Sequence, residues 1–297
     1  MTVRFVAEVS SNHQQDLTRC LHFIDVAAEI GCDAVKYQLF TVDRMFTPLA
    51  LTQNAVLRAR SAWELPRSFL PSLAAHCHDR GIQFACTPFY LDAVAELQPH
   101  VDFYKIASYE LLWDDLLQAC AATHKPLVLS TGMATMREID HAVSVLAQAD
   151  CEDLTLLHCT SAYPTPVQEC NLRAIETMQR RWPLPVGWSD HSRSDAVLYR
   201  AVHRWQASMV EFHLDLDGTG AEYRMGHCWL PAEIQATIEM IHAGEAADGH
   251  GRKEPLPGEL PDRDWRRDPV DGLRPLRHVR GMPPLETPPE MLSECSS

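Results

Sequence analysis

Eight short apolar runs, each followed by a stretch able to form a helix, constrain this chain more than any other feature. They are Val3–Glu8, Ala34–Gln38, Ile82–Cys86, Val101–Lys105, Pro126–Ser130, Leu154–His158, Val186–Trp188 and Met209–His213. Runs of this length fit strands buried on both faces, and strands separated by helices pair in parallel. About eight such units close into a barrel. The first helix is expected from about Asp16 to Ile30, stopped by Gly31. A long loop then precedes a helix around Pro66 to Arg80, closed by Gly81. The expected fold is α/β, a TIM (β/α)8 barrel over residues 1–243. The 297-residue length suits one barrel of roughly 250 residues better than two small domains.

Composition shifts near Ala243. Residues 244–297 are rich in Pro, Gly, Asp, Glu and Arg, with little apolar periodicity beyond Trp265, Leu273 and Leu276. Such a segment buries too little apolar surface to order itself alone. It is expected as an irregular C-terminal extension, draped over the barrel or partly disordered. The formal net charge of −14 disfavours nucleic acid or an anionic membrane as partner, since both reward basic patches. No run of about 18 apolar residues exists, and Met1-Thr-Val-Arg-Phe5 enters a strand rather than a signal segment, so a cytoplasmic protein is expected. Ten cysteines from Cys20 to Cys295 include no Cys-x-x-Cys pair, which predicts reduced, mostly buried thiols.

In a barrel of this kind chemistry gathers at the carboxyl ends of the strands. Those ends carry Glu8; Lys36 and Gln38; Thr87; Lys105, Ser108 and Glu110; Ser130 and Gly132; His158, Ser161 and Tyr163; Ser189 and His191; and His213 with Asp215. His191 and His213 close neighbouring strands, so their imidazoles can converge on one divalent metal. Taken alone, each residue has a plainer reading. Lys36 fits a rim lysine, His191 a ring bonded to a carbonyl, and Glu110 an exposed loop acid. Gly132 is expected to open the helix after the fifth strand, where the helix N-terminus attracts anions. His13 either positions the first loop or touches a ligand, and His158 reads as a satisfied core histidine. Asp215 and Asp217 read equally as ligand contacts or solvated loop charges.

Several ordered motifs together resemble a known family. Glu8-Val-Ser-Ser-Asn-His13, Val35-Lys-Tyr-Gln38, Thr87-Pro-Phe89, Lys105-Ile-Ala-Ser108, Leu129-Ser-Thr-Gly-Met-Ala134, Leu157-His-Cys-Thr160 with Tyr163-Pro, and Val186-Gly-Trp-Ser-Asp-His191 resemble the barrel of the sialic acid (N-acetylneuraminate) synthases. The likeness covers roughly residues 3 to 242. It implies a metal-dependent condensation of phosphoenolpyruvate with the open-chain aldehyde of an N-acylated hexosamine, giving a nine-carbon 2-keto acid and phosphate. By motif position it also implies that Lys36, Thr87, Lys105, Ser108, Ser130 and Ser189 hold phosphoenolpyruvate. Mn²⁺ or Mg²⁺ would sit on His191 and His213. Glu110 would be the acid/base group, within a catalytic set that includes Glu8 and Lys105. Gln38, Ser161 and Tyr163 would contact substrate, with Glu8 and Tyr163 on sugar hydroxyls, and the protein would be a homodimer. Two lysines with hydroxyl and amide donors suit a phosphate and a carboxylate, and a metal can serve as Lewis acid toward the aldehyde.

The chain also departs from that family. Asn12-His-Gln-Gln15 stands where many members have Asn-His-x-Gly, so the first loop is expected to differ in shape. At Ser161 some members carry an asparagine. After the eighth strand the usual Gly-Pro-Asp is replaced by Gly220-Ala-Glu222, so Glu222 is expected to replace a sugar-binding aspartate. Arg224, His227 and Trp229 either shape a different acceptor pocket or, for Trp229, simply pack. The family's C-terminal antifreeze-like domain is not matched by residues 244–297, where Arg263, Arg266, Arg267 or Arg274 could substitute for its arginine. Two other readings stay open: a metal-free lysine aldolase forming a Schiff base through Lys105 or Lys36, and a barrel that has lost catalysis and serves as a binding subunit.

Overall fold

A computed structural model describes residues 3–281 of the chain. Eight strands, β1 (Arg4–Glu8), β2 (Ala34–Leu39), β3 (Gln83–Pro88), β4 (Phe103–Ile106), β5 (Leu127–Ser130), β6 (Leu154–Cys159), β7 (Val186–Asp190) and β8 (Met209–His213), pair in parallel in chain order. β8 closes onto β1, with Phe5 opposite Val210 and Glu8 opposite His213. This is the TIM barrel that the eight apolar runs predict. The helices are α1 (Leu17–Glu29), α2 (Val42–Met45), α3 (Pro48–Gln53), α4 (Ala55–Ala59), α5 (Leu70–Asp79), α6 (Leu91–Leu97), α7 (Asp114–Ala121), α8 (Met136–Gln148), α9 (Arg173–Arg181), α10 (Asp195–His203) and α11 (Pro231–Asp248).

Side chains alternate across a strand, so one set fills the barrel and the other faces the helices. Val6, Ala34, Ala85, Phe103, Val128, Leu157 and Met209 form a buried apolar cluster inside the barrel. Phe5, Tyr37, Phe84, Tyr104, Trp188 and Phe212 point the other way and join a single larger core with the helices, including Phe23 and Ile24 of α1. Each of these fully buried side chains contributes about 1.5–3 kcal/mol over an exposed one. Two residues further along each strand, the inward positions become polar. The apolar plug is therefore the floor of the site.

The first helix behaves as its sequence predicts. The Asp16 carboxylate caps the amide of Arg19, and Gly31 ends α1 at φ +88°. The stretch after β2, expected as a long loop, instead holds α2, α3 and α4. Thr47 Oγ1 accepts from Ala50 N, and Asn54 Oδ1 from Val56 N, capping α3 and α4. Neither helix buries a residue, so no apolar period advertises it. Boundaries differ elsewhere too: β3 begins at Gln83, β7 runs on to Asp190, and α5 starts at Leu70 after a 3₁₀ turn at Arg67–Phe69.

The chain divides into two compact units between Ala247 and Asp248 rather than at Ala243, because α11 continues the helical ladder past the compositional change. In the second unit, 3₁₀ turns at Pro257–Glu259, Arg263–Trp265 and Arg277–Val279 are the regular elements among the described residues. Asp268 accepts from the amides of Val270 and Arg277 there, and Asp271 pairs with Arg280. Arg266 and Arg267 donate to the carbonyl oxygens of Arg263 and Gly272 in the same unit. The tail beyond residue 281, including Cys295, lies outside the described residues. The nine cysteines among the described residues are free, as expected, and Cys151 alone of them is not buried. No helix among the described residues is long and apolar enough to cross a membrane.

Gly187 sits where β7 passes closest to β8. A Cβ there would lie 2.4 Å from the Met209 carbonyl oxygen and 2.6 Å from Leu157 Cδ2. Backbone cannot yield as a flexible side chain can. Gly187→Ala is therefore expected to destabilise the barrel by about 1–3 kcal/mol, read as a lower midpoint in urea denaturation. An unchanged midpoint would show that the β7–β8 contact is looser than described.

Candidate active site

Directly above the apolar plug, the inward positions are Glu8, Lys36, Thr87, Lys105, Ser130, Cys159, Ser189 and Glu211, all buried. Backbone register sets Glu8 opposite Lys36, and Ser189 opposite Glu211. The Glu211 Oε1 atom accepts from Lys105 Nζ at 3.1 Å and from Ser189 Oγ at 3.4 Å, and lies 3.8 Å from Lys36 Nζ. Lys36 also pairs with Glu8 and approaches Thr87 Oγ1 at 3.4 Å. Burial works against every charge here. For Glu211, however, Lys105 and Lys36 outweigh it and hold the carboxyl well below the usual glutamate range. For Lys36, Glu211 and Glu8 outweigh it and raise the ammonium above the ordinary lysine value. Both lysines are thus buried cations at the centre of the mouth, and the rim reading of Lys36 is corrected.

The ends of β4 to β6 bring hydroxyls and one acid to the same opening. Ser108 Oγ accepts from the Gly132 amide at 2.9 Å and lies 3.2 Å from Cys159 Sγ. A Cβ on Gly132 would fall 2.3 Å from Ser161 Oγ and 2.8 Å from Ser108 Oγ, so only glycine lets this turn approach. Gly132 lies in the turn before α8, which Thr135 and Glu138 cap with a reciprocal box; it does not open the helix as expected. The buried hydroxyls of Ser130 and Ser161 and the Oε2 atom of Glu110 have no hydrogen-bond partner. Glu110 is not an exposed loop acid. Burial pushes its pKa up to about 7, against the opposing pull of Lys105.

Two residues further outward, β7 and β8 deliver the imidazoles. The His191 and His213 ring centroids are 5.3 Å apart, and Tyr163 stacks on His191 at 4.2 Å. His191 Nδ1 donates to the Thr160 carbonyl oxygen at 2.9 Å, which leaves Nε2 as a lone-pair donor. Burial, with His213 as the next cause, lowers the His191 pKa to about 3 and keeps the ring neutral. Burial would do the same to His213, but Glu222, 3.1 Å from Nδ1, raises it above the ordinary histidine value. Glu222 Oε1 accepts from Ser10 Oγ at 2.7 Å, and its amide donates to Asn12 Oδ1 at 2.9 Å. Gln38 donates to Glu8 Oε1 at 2.7 Å and to Ser10 Oγ at 3.1 Å.

Glu8, Lys36, Gln38, Thr87, Lys105, Ser108, Glu110, Ser130, Ser161, Tyr163, Ser189, His191, His213 and Glu222 thus gather at one end of the barrel, whereas Asp215, Asp217, His158, His13 and Trp229 have other contacts. Asp215 and Asp217 both pair with Arg19 at 2.9 Å, Asp215 as a buried carboxylate and Asp217 as a half-exposed one. His158 bonds the Cys170 carbonyl oxygen, and His13 Nδ1 accepts from the Gln15 amide, so His13 shapes the loop. Gln15 takes φ +55°, the region a glycine favours, and its side chain holds that shape by donating to the carbonyls of Ser61 and Glu64. Trp229 is packing: its indole donates to buried Asp190, which Trp188 also meets. Glu211, Ser10 and Cys159 were not foreseen. Glu211 sits two residues before His213 on β8, so strand alternation alone would have placed it beside the lysines.

The fold and mouth define a (β/α)8-barrel enzyme with two buried lysines, paired with Glu8 and Glu211, beside paired histidines. The sequence profile of the NeuB family matches residues 23–253. The chain is 32% identical over 301 residues to N,N'-diacetyllegionaminic acid synthase of Legionella pneumophila, covering 92% of this chain and 83% of that one. It is 30% identical over 256 residues to N-acetylneuraminate-9-phosphate synthase of Drosophila melanogaster, covering 81% and 67%. The crystal structure of N-acetylneuraminic acid synthetase from Leptospira borgpetersenii, in complex with citrate, superposes with a TM-score of 0.79 at 29% identity, covering 87% of this chain and 89% of that one. The chain belongs to the NeuB family and is an enzyme of its sialic-acid-synthase type.

Two measurements test these charges. Glu211→Gln leaves two buried ammonium groups short of a partner and is expected to cost about 3–5 kcal/mol of stability in urea denaturation; an unaltered midpoint would show that Glu8 alone balances both. Glu110 binds its proton up to about pH 7 in the folded chain but only up to 4.5 when unfolded. Between those values the folded state holds more protons, so its stability falls as pH rises through the window. Glu110→Gln removes that slope. The variant's advantage in melting temperature should therefore grow from about pH 5 to about pH 8, and a pH-independent difference would mean that Glu110 titrates as an exposed acid.

Proposed function

We propose that this enzyme condenses phosphoenolpyruvate with the open-chain form of an N-acylated aldose, giving a sialic-acid-like 2-keto-3-deoxy sugar acid and phosphate. The observation that carries the reading is the pair of buried ammonium groups, Lys36 and Lys105, sharing Glu211 beneath the unpartnered hydroxyls of Ser130 and Ser161. A small molecule bearing both a phosphate and a carboxylate answers those donors. Thr87, Ser108 and Ser189 complete the proposed donor set, with Gln38, Tyr163, Glu8 and Glu222 facing the sugar.

His191 and His213 fit a divalent metal, Mn²⁺ or Mg²⁺. His191 is held neutral by burial with Nδ1 committed to a carbonyl, and the His213 Nδ1 faces a carboxylate, the outer contacts that orient ligating imidazoles. Charge balance agrees. Lys36, Lys105, Glu8 and Glu211 sum to zero, so an anionic donor needs added positive charge. A cation bound there supplies Lewis acidity to the aldehyde oxygen.

The remaining chemistry falls to the chain itself. The lysines and hydroxyls hold phosphoenolpyruvate so that its C3 faces the aldehyde carbon, and a C–C bond forms as the aldehyde oxygen takes a proton. Water adds to C2, and the C2–O bond breaks to release phosphate. Glu110, with a pKa near neutrality, takes the proton from that water. Glu8 and Gln38 orient sugar hydroxyls, and the Tyr163 ring on His191 excludes water from one side. Recognition of the acyl group is assigned to the barrel through Ala247, with Glu222 in the position of the family's aspartate.

Phosphate release should require phosphoenolpyruvate and an aldose together and should be lost in EDTA, tested across a panel that includes N-acetylmannosamine and diacetamido hexoses. His213→Ala is expected to abolish release while the protein stays folded. Glu110→Gln should still bind phosphoenolpyruvate but turn over at least about 100-fold more slowly. Borohydride trapping of pyruvate on Lys105 or Lys36 after EDTA treatment would replace this reading with a Schiff-base aldolase.

A further inference from the structure

The loop after β8 is closed by a bridge between Leu214 and Trp229, and it returns His227 and Cys228 to the side of His213. One ligand atom from each of His213, Glu222, His227 and Cys228 lies within 4.8 Å of the others. Glu222 Oε2 is 3.1 Å from His213 Nδ1 and 3.6 Å from His227 Nε2. His227 is 1% exposed, and neither of its ring nitrogens has a hydrogen-bond partner. Burying an imidazole with both nitrogens unmet is costly, and nothing in the synthase chemistry above uses it. Its ring packs edge-on to His213 and Tyr163, which orients it without meeting either nitrogen.

We propose that His213, Glu222, His227 and Cys228 form a second cation site that takes zinc or another thiophilic divalent ion. Tetrahedral bonds of about 2.0 Å to N or O and about 2.3 Å to S place donor atoms about 3.3–3.6 Å apart. The separations of Glu222 from the two imidazoles bracket that range, and every pair in the group lies within 4.8 Å. One carboxylate and one thiolate neutralise a dication, as a buried site requires. Asn12 Nδ2 donates to Cys228 Sγ at 3.5 Å, which fixes the sulfur beside the other three donors. His213 meets this cluster through Nδ1 and faces His191 through Nε2, so the ring holds ions on both sides only as an imidazolate, giving up the Nδ1 proton that otherwise goes to Glu222. The donor set is softer than two imidazoles and water, so the two sites select different ions.

Cobalt reads the site directly, because a Co²⁺–thiolate bond gives a charge-transfer absorption in the near-ultraviolet. The stripped full chain, titrated with Co²⁺, should develop that band, and zinc should abolish it by competition. His191→Ala should keep the band, Cys228→Ser should lose it, and the zinc content of His227→Ala should fall by about one equivalent per chain by mass spectrometry. Lack of the band in the wild-type chain at saturating cobalt, or its persistence in Cys228→Ser, would overturn the site, and the wild-type result needs no variant to fold. A chain with the band that releases no phosphate would keep the site and sink the condensation. Phosphate release without the band would do the reverse.

Discussion

Two ammonium groups buried in the mouth of a closed barrel need negative charge within a few ångströms, and Glu211 is the group that meets both. Without it, Lys36 would lean on Glu8 alone and Lys105 would have no carboxylate among its salt bridges. The cost of desolvating a lone ammonium is several kcal/mol, enough to drive either side chain outward or deprotonate it. The buried lysine pair is therefore possible because β8 sets a glutamate at the level of the lysines. The same strand places His213 two residues further out, so one element supplies both the counter-charge and an imidazole.

Glu222 has the corresponding role in the layer above. It meets His213, faces His227, accepts from Ser10 and is fixed at its amide by Asn12. Those contacts join the first βα loop to the last across the β1–β8 seam. Asn12 also donates to the Leu214 carbonyl oxygen, so the seam is tied by side chains above the strands as well as by backbone below them. The Arg19 pairs with Asp215 and Asp217 add to the same connection. Much of the polarity near the last strand thus holds the barrel closed, and only a fraction of it faces the opening.

The similarity to the NeuB family and the departures from it fall in different places. The profile match runs from Phe23 to Lys253, and the polar ring at the strand ends lies within it except for Glu8. The run Gly220 to Trp229, where the sequence departs from the Gly-Pro-Asp that the resemblance led one to expect, builds the His227–Cys228 cluster beside the mouth. A barrel permits this because its loops carry specificity while its strands carry stability.

The apolar runs and their spacing determined the barrel, since strands buried on both faces with intervening helices have few other ways to pair. The residues at the ends of those runs also marked which face would carry chemistry, because side-chain alternation is a local property. Strand order, the β1–β8 closure and the depth of each polar ring came only from the tertiary structure. Glu211 was hidden as one acid in an apolar strand until register set it beside Lys105, on β4. The helices between Val42 and Ala59 carried no apolar period, and the pairing of Arg19 with Asp215 and Asp217 joined residues 196 and 198 positions apart. Periodicity records which way a side chain faces along its own element, but which charges meet is decided by packing between elements distant in the chain.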